Sequence, residues 1–328
     1  MKAIKIENPG QDSRLNIENF PVPEPAGNEV LIRVEATAMN RADLMQMAGR
    51  YPVPKGVTEI PGLEAAGIIE EVGSEVTGLS KGDRVCTLLD GGGYAEFVVA
   101  DQNMIMKIPD NLSFEQAAAI PEVFLTAWQA LYWLAGLKNK ETILIHAGAS
   151  GVGTAAIQLS KHFSNANIVV TAGTDEKLAL CKNIGASLGI NYKKQDFEKV
   201  ISDSLGRSYV DVIIDFIGAP YWNQNLELLN LDGRMVMLAM LGGPRDELSL
   251  GKILRKRLTV MGSTLRNRTL TYKQELTKDF AVHALPLFAN GKLKPIIDRT
   301  YNLDEVEVAR HRMEENKNAG KLVLKVGQ

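Results

Sequence analysis

Three glycines, Gly148, Gly151 and Gly153, separate an apolar run, Thr142-Ile143-Leu144-Ile145, from a segment whose Ala155, Ala156, Ile157 and Leu159 give a helix its apolar face. Strand, glycine turn, helix is the context in which such a turn takes the pyrophosphate of a dinucleotide. One glycine permits the tight turn, another lets the backbone approach the phosphates, and Gly153 lets helix and strand pack closely. The helix then directs its free N–H groups and the positive end of its dipole at the anion. The spacing departs from G-x-G-x-x-G, because Ser150 holds the place of the second glycine and Gly151 is additional. The motif alone is also satisfied by a plain glycine turn between any strand and helix, so its surroundings have to decide.

Those surroundings bear on which dinucleotide is bound. In proteins that take NAD, a carboxylate at the end of the next strand holds the ribose 2′-hydroxyl. Here that strand, Ile168 to Thr171, runs into Ala172-Gly173. Gly173 leaves room where a carboxylate would repel a 2′-phosphate, and Lys177, one helical turn on, supplies a cation. Tyr192 adds a hydroxyl donor. Lys177 read alone is also an ordinary solvated helix lysine, and Asp175 brings an opposing charge close by. The balance favours NADP(H), a cofactor whose chemistry is hydride transfer and whose protein supplies position and electrostatics.

The elements that must hold these residues follow from composition and periodicity. A chain of 328 residues is expected to form two domains. With 45% apolar and 23% charged residues it is an ordinary globule, and a net charge of -2 offers neither nucleic acid nor an anionic membrane an electrostatic footprint. The two cysteines, Cys86 and Cys181, lie far apart in sequence, which fits a reducing compartment rather than a disulfide. The opening MKAIKIENPG lacks the apolar core of a signal peptide, and no run reaches the ~20 apolar residues of a membrane span, so the cytosol is the expected location.

The first third is β-rich. Val30, Ile32, Val34 and Ala36 alternate, Gly67 to Val72 and Lys81 to Val85 read as turn-bounded strands, and Gly91-Gly92-Gly93 turns into Tyr94 to Val99, which predicts a small barrel. Asn40 is expected to cap a short helix ending before Gly49. Ser113 and Gln116 form a capping box, and Pro121 starts or bends a helix that runs to Gly136. Beyond it, strands at Ile168–Thr171, near Ile190, Val210–Asp215, Met235–Ala239 and Leu258–Met261 alternate with helices. This βαβ alternation predicts an α/β fold with a doubly wound parallel sheet. The tail is mixed and ends in a strand at Lys321–Val326. The expected division is 1–121 with 272–328, around an inserted 122–271.

AGASGVG at Ala147–Gly153, PGLEAAG at Pro61–Gly67, GDRV at Gly82–Val85, GGGYAEF at Gly91–Phe97 and ENKNAGKLVL at Glu315–Leu324 occur in the superfamily's arrangement along the whole chain. Together they resemble the medium-chain dehydrogenase/reductase superfamily, and within it the zeta-crystallin-type NADPH:quinone oxidoreductases. Tyr192 to Phe197 and Ala219-Pro220-Tyr221-Trp222 look most like the tumour-suppressor-inducible branch. The resemblance implies a GroES-like catalytic domain formed by both chain ends around a Rossmann NADP-binding domain. It also implies a homodimer through the Rossmann sheet edge near Leu258–Thr264. It assigns Lys177 and Tyr192 to the 2′-phosphate, with Lys317 adding charge. It makes Asn40 and Tyr51 the donors beside the acceptor, Tyr51 lying in Gly49-Arg50-Tyr51-Pro52, otherwise readable as an exposed loop. To the cofactor it further gives Thr126, Gly148, Ser150, Gly151, Val152, Gly153, Gly173, Ile217, Leu241, Gly242, Leu265 and Asn316. Ile217 and the Leu241-Gly242-Gly243 turn follow strands, where ligands collect in such sheets.

Zinc-dependent members of the superfamily take one ligand from a cysteine in the Met39–Asn40 region and one from a histidine in a PGHE-like segment. Here Met39-Asn40 and Leu63 stand in those places, and the four-cysteine structural lobe is impossible with two cysteines. Neither methionine nor leucine carbon replaces thiolate or imidazole. His146, His162, His283 and His311 show no ligand pairing, and no metal is expected. Glu64 reads equally as a buried paired acid or a solvated one. A quinone accepts hydride readily and needs only modest donors, and no strong acid is evident to polarise a carbonyl. The expected activity is therefore zinc-independent hydride transfer from NADPH to a quinone, with a net one-electron product as a variant outcome. The alternatives are an enone or alkenal reductase and a non-catalytic, crystallin-like NADPH-binding protein. The absence of a basic stripe counts against RNA.

Overall fold

The computed structural model describes residues 1–10, 12–206, 209–245, 247 and 250–327; the expected end of the tail at Gln328 lies outside them. The chain divides into two compact units, Met1–Leu125 with Arg266–Gln328, and Thr126–Leu265. The crossings fall inside the helix that Pro121 starts and just ahead of the helix Leu270–Ala289, rather than at 121/122 and 271/272.

In the first unit a seven-stranded sheet runs in the order Ile297–Asn302, Lys321–Lys325, Glu29–Met39, Glu64–Val72, Arg84–Leu88, Ile105–Lys107, with Phe97–Asp101 also pairing along Glu29–Met39. The strand Glu29–Met39 carries three neighbours because it is long and shifts register against Glu64–Val72 at Leu31/Ile32 and Val34/Ala36. Such bulges bend and twist a strand. The alternation read from the sequence appears as burial: Val30, Ile32, Val34, Ala65, Ile69 and Val85 form one core cluster. Each fully buried aliphatic side chain contributes about 1.5–3 kcal/mol. The chain's two ends meet here, since Lys321–Lys325 pairs antiparallel with Ala36 to Met39.

The second unit is a six-stranded, all-parallel sheet in the order Leu188–Asn191, Asn167–Ala172, Thr142–Ile145, Val210–Asp215, Leu229–Met237, Thr259–Gly262. Numbered within the unit this is 3-2-1-4-5-6, the doubly wound dinucleotide-binding order. Thr142 to Ile145 are all buried, as a central parallel strand requires. Thr259–Gly262 lies at the edge of the sheet. The helix from Pro121 is regular only to Trp128 and continues as a π-helix, Gln129–Leu134. Its looser turn is visible in Ala135 N–H donating to the Ala130 carbonyl at 3.0 Å.

Candidate active site

The first unit gathers buried polar residues around the start of the strand Glu64–Val72. Glu64 is fully buried, and its carboxylate is met from three sides. Oε1 accepts from Lys321 Nζ at 2.7 Å and from Asn40 Nδ2 at 2.8 Å, and Oε2 accepts from the Glu122 backbone N–H at 2.8 Å. Lys321 also donates to Asn40 Oδ1 at 2.5 Å and to the Met39 carbonyl at 3.1 Å, so its three protons all have acceptors. Glu64, left open in the sequence, is a buried paired acid.

Asn40 is the N-cap of the helix Arg41–Met47, as expected, and Asp43 Oδ2 accepts from its backbone N–H at 2.7 Å. The expectation of a free donor changes, because the amide has no donor left for an external acceptor. Lysine can only donate, so Oδ1 must face Lys321, and Nδ2 gives its two hydrogens to Glu64 and, at 3.2 Å, to the Ala38 carbonyl. Asn40 therefore positions the cluster. Asp43 Oδ2 also accepts from Tyr94 Oη at 2.8 Å, while Oδ1 is buried with no partner among the described residues. Burial pushes the Asp43 carboxyl up to about 6, with its two hydrogen bonds and Lys321 opposing.

Tyr51 is half-buried rather than an exposed loop residue. The Arg266 guanidinium lies 5.2 Å from its ring centroid. Arg266 is itself held by the Asp90 carbonyl at 2.7 Å and Gln46 Oε1 at 2.9 Å, and Asp90 is clamped by Lys273 at 2.5 Å. This fixes the loop that carries Tyr51. Burial first, and the charge of Glu122 next, push the phenol up to about 12, so it remains a neutral donor.

A further acid of the same unit, Glu122, was not singled out from the sequence. This residue, in the first turn of the Pro121–Trp128 helix, has its carboxyl pushed up to about 8 by burial first and by Glu64 next. Sequence offered a weak signal for it: a glutamate directly after a proline, heading an otherwise apolar helix.

In the second unit the glycine turn is built tightly. Ala147 adopts φ 49°, a strained value for a residue with a side chain, and Gly148 N–H donates to the Thr171 carbonyl at 2.9 Å. A Cβ on Gly148 would come within 2.8 Å of Val170, and one on Gly153 within 2.5 Å of the Ala147 carbonyl. Gly153 thus lets the helix close on the turn itself. Ser150 is the N-cap of the helix Gly151–Ser164, its Oγ accepting from Gly153 N–H at 3.0 Å. Gly151 and Val152 occupy the open first turn, where backbone N–H groups await an anion.

Gly173 opens onto two side chains. A Cβ there would stand 2.9 Å from Tyr192 Oη and 3.3 Å from Lys193 Cε. Lys193 was not singled out from the sequence, although the Lys193-Lys194 pair after Tyr192 was its signal. Lys177 is half-buried in the helix Asp175–Ile184, capped by Thr174. Asp175 is answered locally: Lys194 reaches it at 2.6 Å and Asn191 at 2.8 Å. Farther along the sheet, Gly242 N–H donates to the Ile217 carbonyl at 2.8 Å and Leu241 N–H to the Phe216 carbonyl at 3.0 Å, which joins the two turns beyond Val210–Asp215 and Leu229–Met237. Leu265 is buried, and Thr126 Oγ1 is buried with no hydrogen-bond partner among the described residues. Asn316 accepts from Arg41, and Lys317 pairs with Glu315 at 2.8 Å; both belong to the first unit. His146 is a core residue, its ring between Thr171 Oγ1 at 3.0 Å and Asn225 Oδ1 at 2.8 Å. An open helix end, a glycine cradle and an orphaned Thr126 hydroxyl together fit a dinucleotide.

Residues 26–110 match the family model of the alcohol dehydrogenase GroES-like domain, and residues 151–281 that of zinc-binding dehydrogenase. A quinone oxidoreductase of Lama guanicoe is 32% identical over 331 residues, covering 99% of this chain and 97% of that protein. This chain belongs to the quinone oxidoreductase family. Among solved structures, the Escherichia coli quinone oxidoreductase complexed with NADPH superposes with a TM-score of 0.88 at 28% identity over 99% of both chains. The CurK enoyl reductase superposes with a TM-score of 0.87 at 27% identity, again over 99% of both. The quinone oxidoreductase fold of GroES-like and Rossmann units is therefore the one the sequence implied. Among the described residues, no helix is long and apolar enough to cross a membrane.

Proposed function

We propose that this chain is an NADPH-dependent quinone oxidoreductase that works without zinc. The observation that carries the reading is the closed Glu64–Lys321–Asn40 cluster. Where zinc-dependent relatives place ligands, this chain has Leu63, 2% exposed, and Asn40, whose amide is committed to Lys321 and Glu64. Such a site positions residues rather than coordinating a Lewis acid, which suits an acceptor as ready as a quinone.

NADPH, when bound, supplies the hydride. The residues proposed to hold it are Gly148, Ser150, Gly151, Val152 and Gly153 at the pyrophosphate, and Gly173, Lys177 and Tyr192 at the 2′-phosphate. Thr126, Ile217, Leu241, Gly242 and Leu265 would serve the nicotinamide half, with Asn316 and Lys317 as further contacts. Tyr51, a phenol that keeps its proton, polarises a quinone oxygen by hydrogen bonding. The edge position of Thr259–Gly262 supports a homodimer through Leu258–Thr264, which light scattering at micromolar concentration would test. Buried, unpaired Cys86 and Cys181 suit the cytosol.

The deciding experiment measures NADPH consumption with a naphthoquinone and with a small enal, on protein of known metal content and in chelator. Turnover of the quinone in preference to the enal, unaffected by chelator, supports the proposal. Preference for the enal favours the enone-reductase reading, for which the likeness to an enoyl reductase and the buried acid Glu122 speak. Binding of NADPH without turnover of either favours the non-catalytic one. Stoichiometric zinc lost together with activity rejects the zinc-free site.

A further inference from the structure

We infer that Nη2, the uncommitted edge of the Arg266 guanidinium, is the cationic donor that receives the acceptor's oxygen as that oxygen becomes an anion. The inference rests on the quinone-reductase reading and names a residue for the charge that reading leaves unopposed.

A quinone that gains hydride takes up two electrons and one proton and becomes a hydroquinone monoanion. The C–H bond that breaks belongs to the reduced nicotinamide, which is oxidised, and the anion takes its remaining proton from water. Tyr51 meets the oxygen with a neutral hydrogen bond but not with a charge.

The first unit buries three cations, Lys273, Lys321 and Arg266, which are 4%, 3% and 5% exposed. Lys321 spends its three protons on Glu64, Asn40 and the Met39 carbonyl. Lys273 grips both carboxylate oxygens of Asp90, at 2.6 and 2.5 Å, and also faces the Arg266 carbonyl at 3.5 Å. Arg266 is different. Its Nε donates to the Asp90 carbonyl at 2.7 Å and its Nη1 to Gln46 Oε1 at 2.9 Å, both neutral acceptors. Nη2 is buried with no hydrogen-bond partner among the described residues, and no carboxylate among them pairs with the guanidinium. A buried charge with an unmade hydrogen bond and no counter-ion is costly. An oxyanion is the ligand that relieves both costs at once.

Two contacts place this edge at the acceptor. The guanidinium carbon lies 5.2 Å from the centroid of the Tyr51 ring, so charge and phenol stand side by side. In the chain Arg266 directly follows Leu265, one of the residues proposed for the nicotinamide half of the cofactor. The guanidinium is planar and rigid, so with Nε and Nη1 fixed Nη2 has one orientation. Asp90, which supplies the first anchor, is itself held by Lys273.

The test compares an anion with its neutral counterpart on the cofactor-free full chain. The probe is 2-hydroxy-1,4-naphthoquinone, ionised at pH 7 and so carrying an oxyanion on the acceptor's own ring; 1,4-naphthoquinone is the neutral control. In titration calorimetry at low salt, wild type should bind the anion about tenfold or more tightly than the control, the range of a hydrogen bond to a charged group. Arg266→Met should lose that preference, and Arg266→Lys, a charge on a flexible stem, should keep part of it. Gln46→Leu removes only the Nη1 anchor and should preserve the preference, which separates the charge from a role in holding the Tyr51 loop. With NADPH present, Arg266→Met should reduce 1,4-naphthoquinone about a hundredfold more slowly, mostly in kcat, as for loss of an oxyanion donor, with NADPH binding unchanged. If Arg266→Met fails to fold, the wild-type ratio and Arg266→Lys decide. A wild type without the preference, or an Arg266→Met that keeps either the preference or the full rate, overturns the proposal and leaves quinone reduction intact. A wild type that binds NADPH but reduces no quinone overturns the quinone reading, and the binding ratio then decides separately whether Arg266 holds an anion.

Discussion

Lys321 Nζ sits 2.7 Å from Glu64 Oε1, with 3% and 0% of the two side chains exposed. The residues lie 257 positions apart in the chain, so this one contact joins the last strand of the first unit to its middle. Two ions brought out of water are stable together only if each is fully hydrogen-bonded, and both are here. Lys321→Met leaves Glu64 charged and buried, and should destabilise the protein by about 3–5 kcal/mol in urea unfolding. Adding Glu64→Gln should recover part of that loss. A single variant as stable as wild type would show that the pair is not closed in solution.

Asp43 makes stability depend on pH in a defined direction. Its carboxyl is raised from an ordinary 3.8 to about 6, burial being the main cause. The stability it contributes is therefore fully present below the unfolded value and is lost as pH rises through about 6. Asp43→Asn removes this titration. The wild-type minus variant difference in unfolding free energy should fall by up to about 3 kcal/mol between pH 4 and pH 7.5, because each tenfold change in proton affinity on folding is worth about 1.4 kcal/mol. Taking the difference cancels His146, whose burial lowers its pKa and whose pH dependence runs the other way. A flat difference across that range would remove Asp43 as a titrating group.

Cofactor choice should reside at Gly173 and its neighbours. Lys177→Ala is expected to weaken NADPH binding by about 1.5–3 kcal/mol, the range for hydrogen bonds to charged groups, with little effect on NADH. Lys193→Ala should act in the same sense but less, since its flexible stem brings Cε to 3.3 Å from where a Cβ on Gly173 would stand. Titration calorimetry with both cofactors distinguishes this from a general loss. Equal weakening of NADPH and NADH would mean the two lysines support the fold rather than the 2′-phosphate.

Tyr51→Phe removes one neutral donor and leaves the ring on Arg266. A typical hydrogen bond of about 1 kcal/mol predicts a loss of quinone reduction under about tenfold. An enal depends more on carbonyl polarisation and should lose more. The ratio of kcat/KM for naphthoquinone to that for the enal should therefore rise in the variant, and a falling ratio would assign Tyr51 to the quinone specifically.

The sequence by itself determined the parallel sheet, the glycine turn between strand and helix, and the capping box at Ser113 and Gln116. These depend on local periodicity and on backbone conformations that only certain residue types tolerate, so they can be read a few residues at a time. The roles inside the first unit could not be read in that way. Asn40 looked like a free donor because Lys321 and Glu64, which consume its amide, are distant in sequence and have no periodic relation to it. Glu122 was not singled out at all, because what raises its carboxyl is burial beside Glu64, and burial is a property of the packed chain. Asp175 looked like a charge against NADPH until the fold brought Lys194 and Asn191 onto it. Spacing along the chain decides which backbone a segment can form; the charge and hydrogen-bonding state of a side chain depends on which distant groups close over it, and only the tertiary structure decides that.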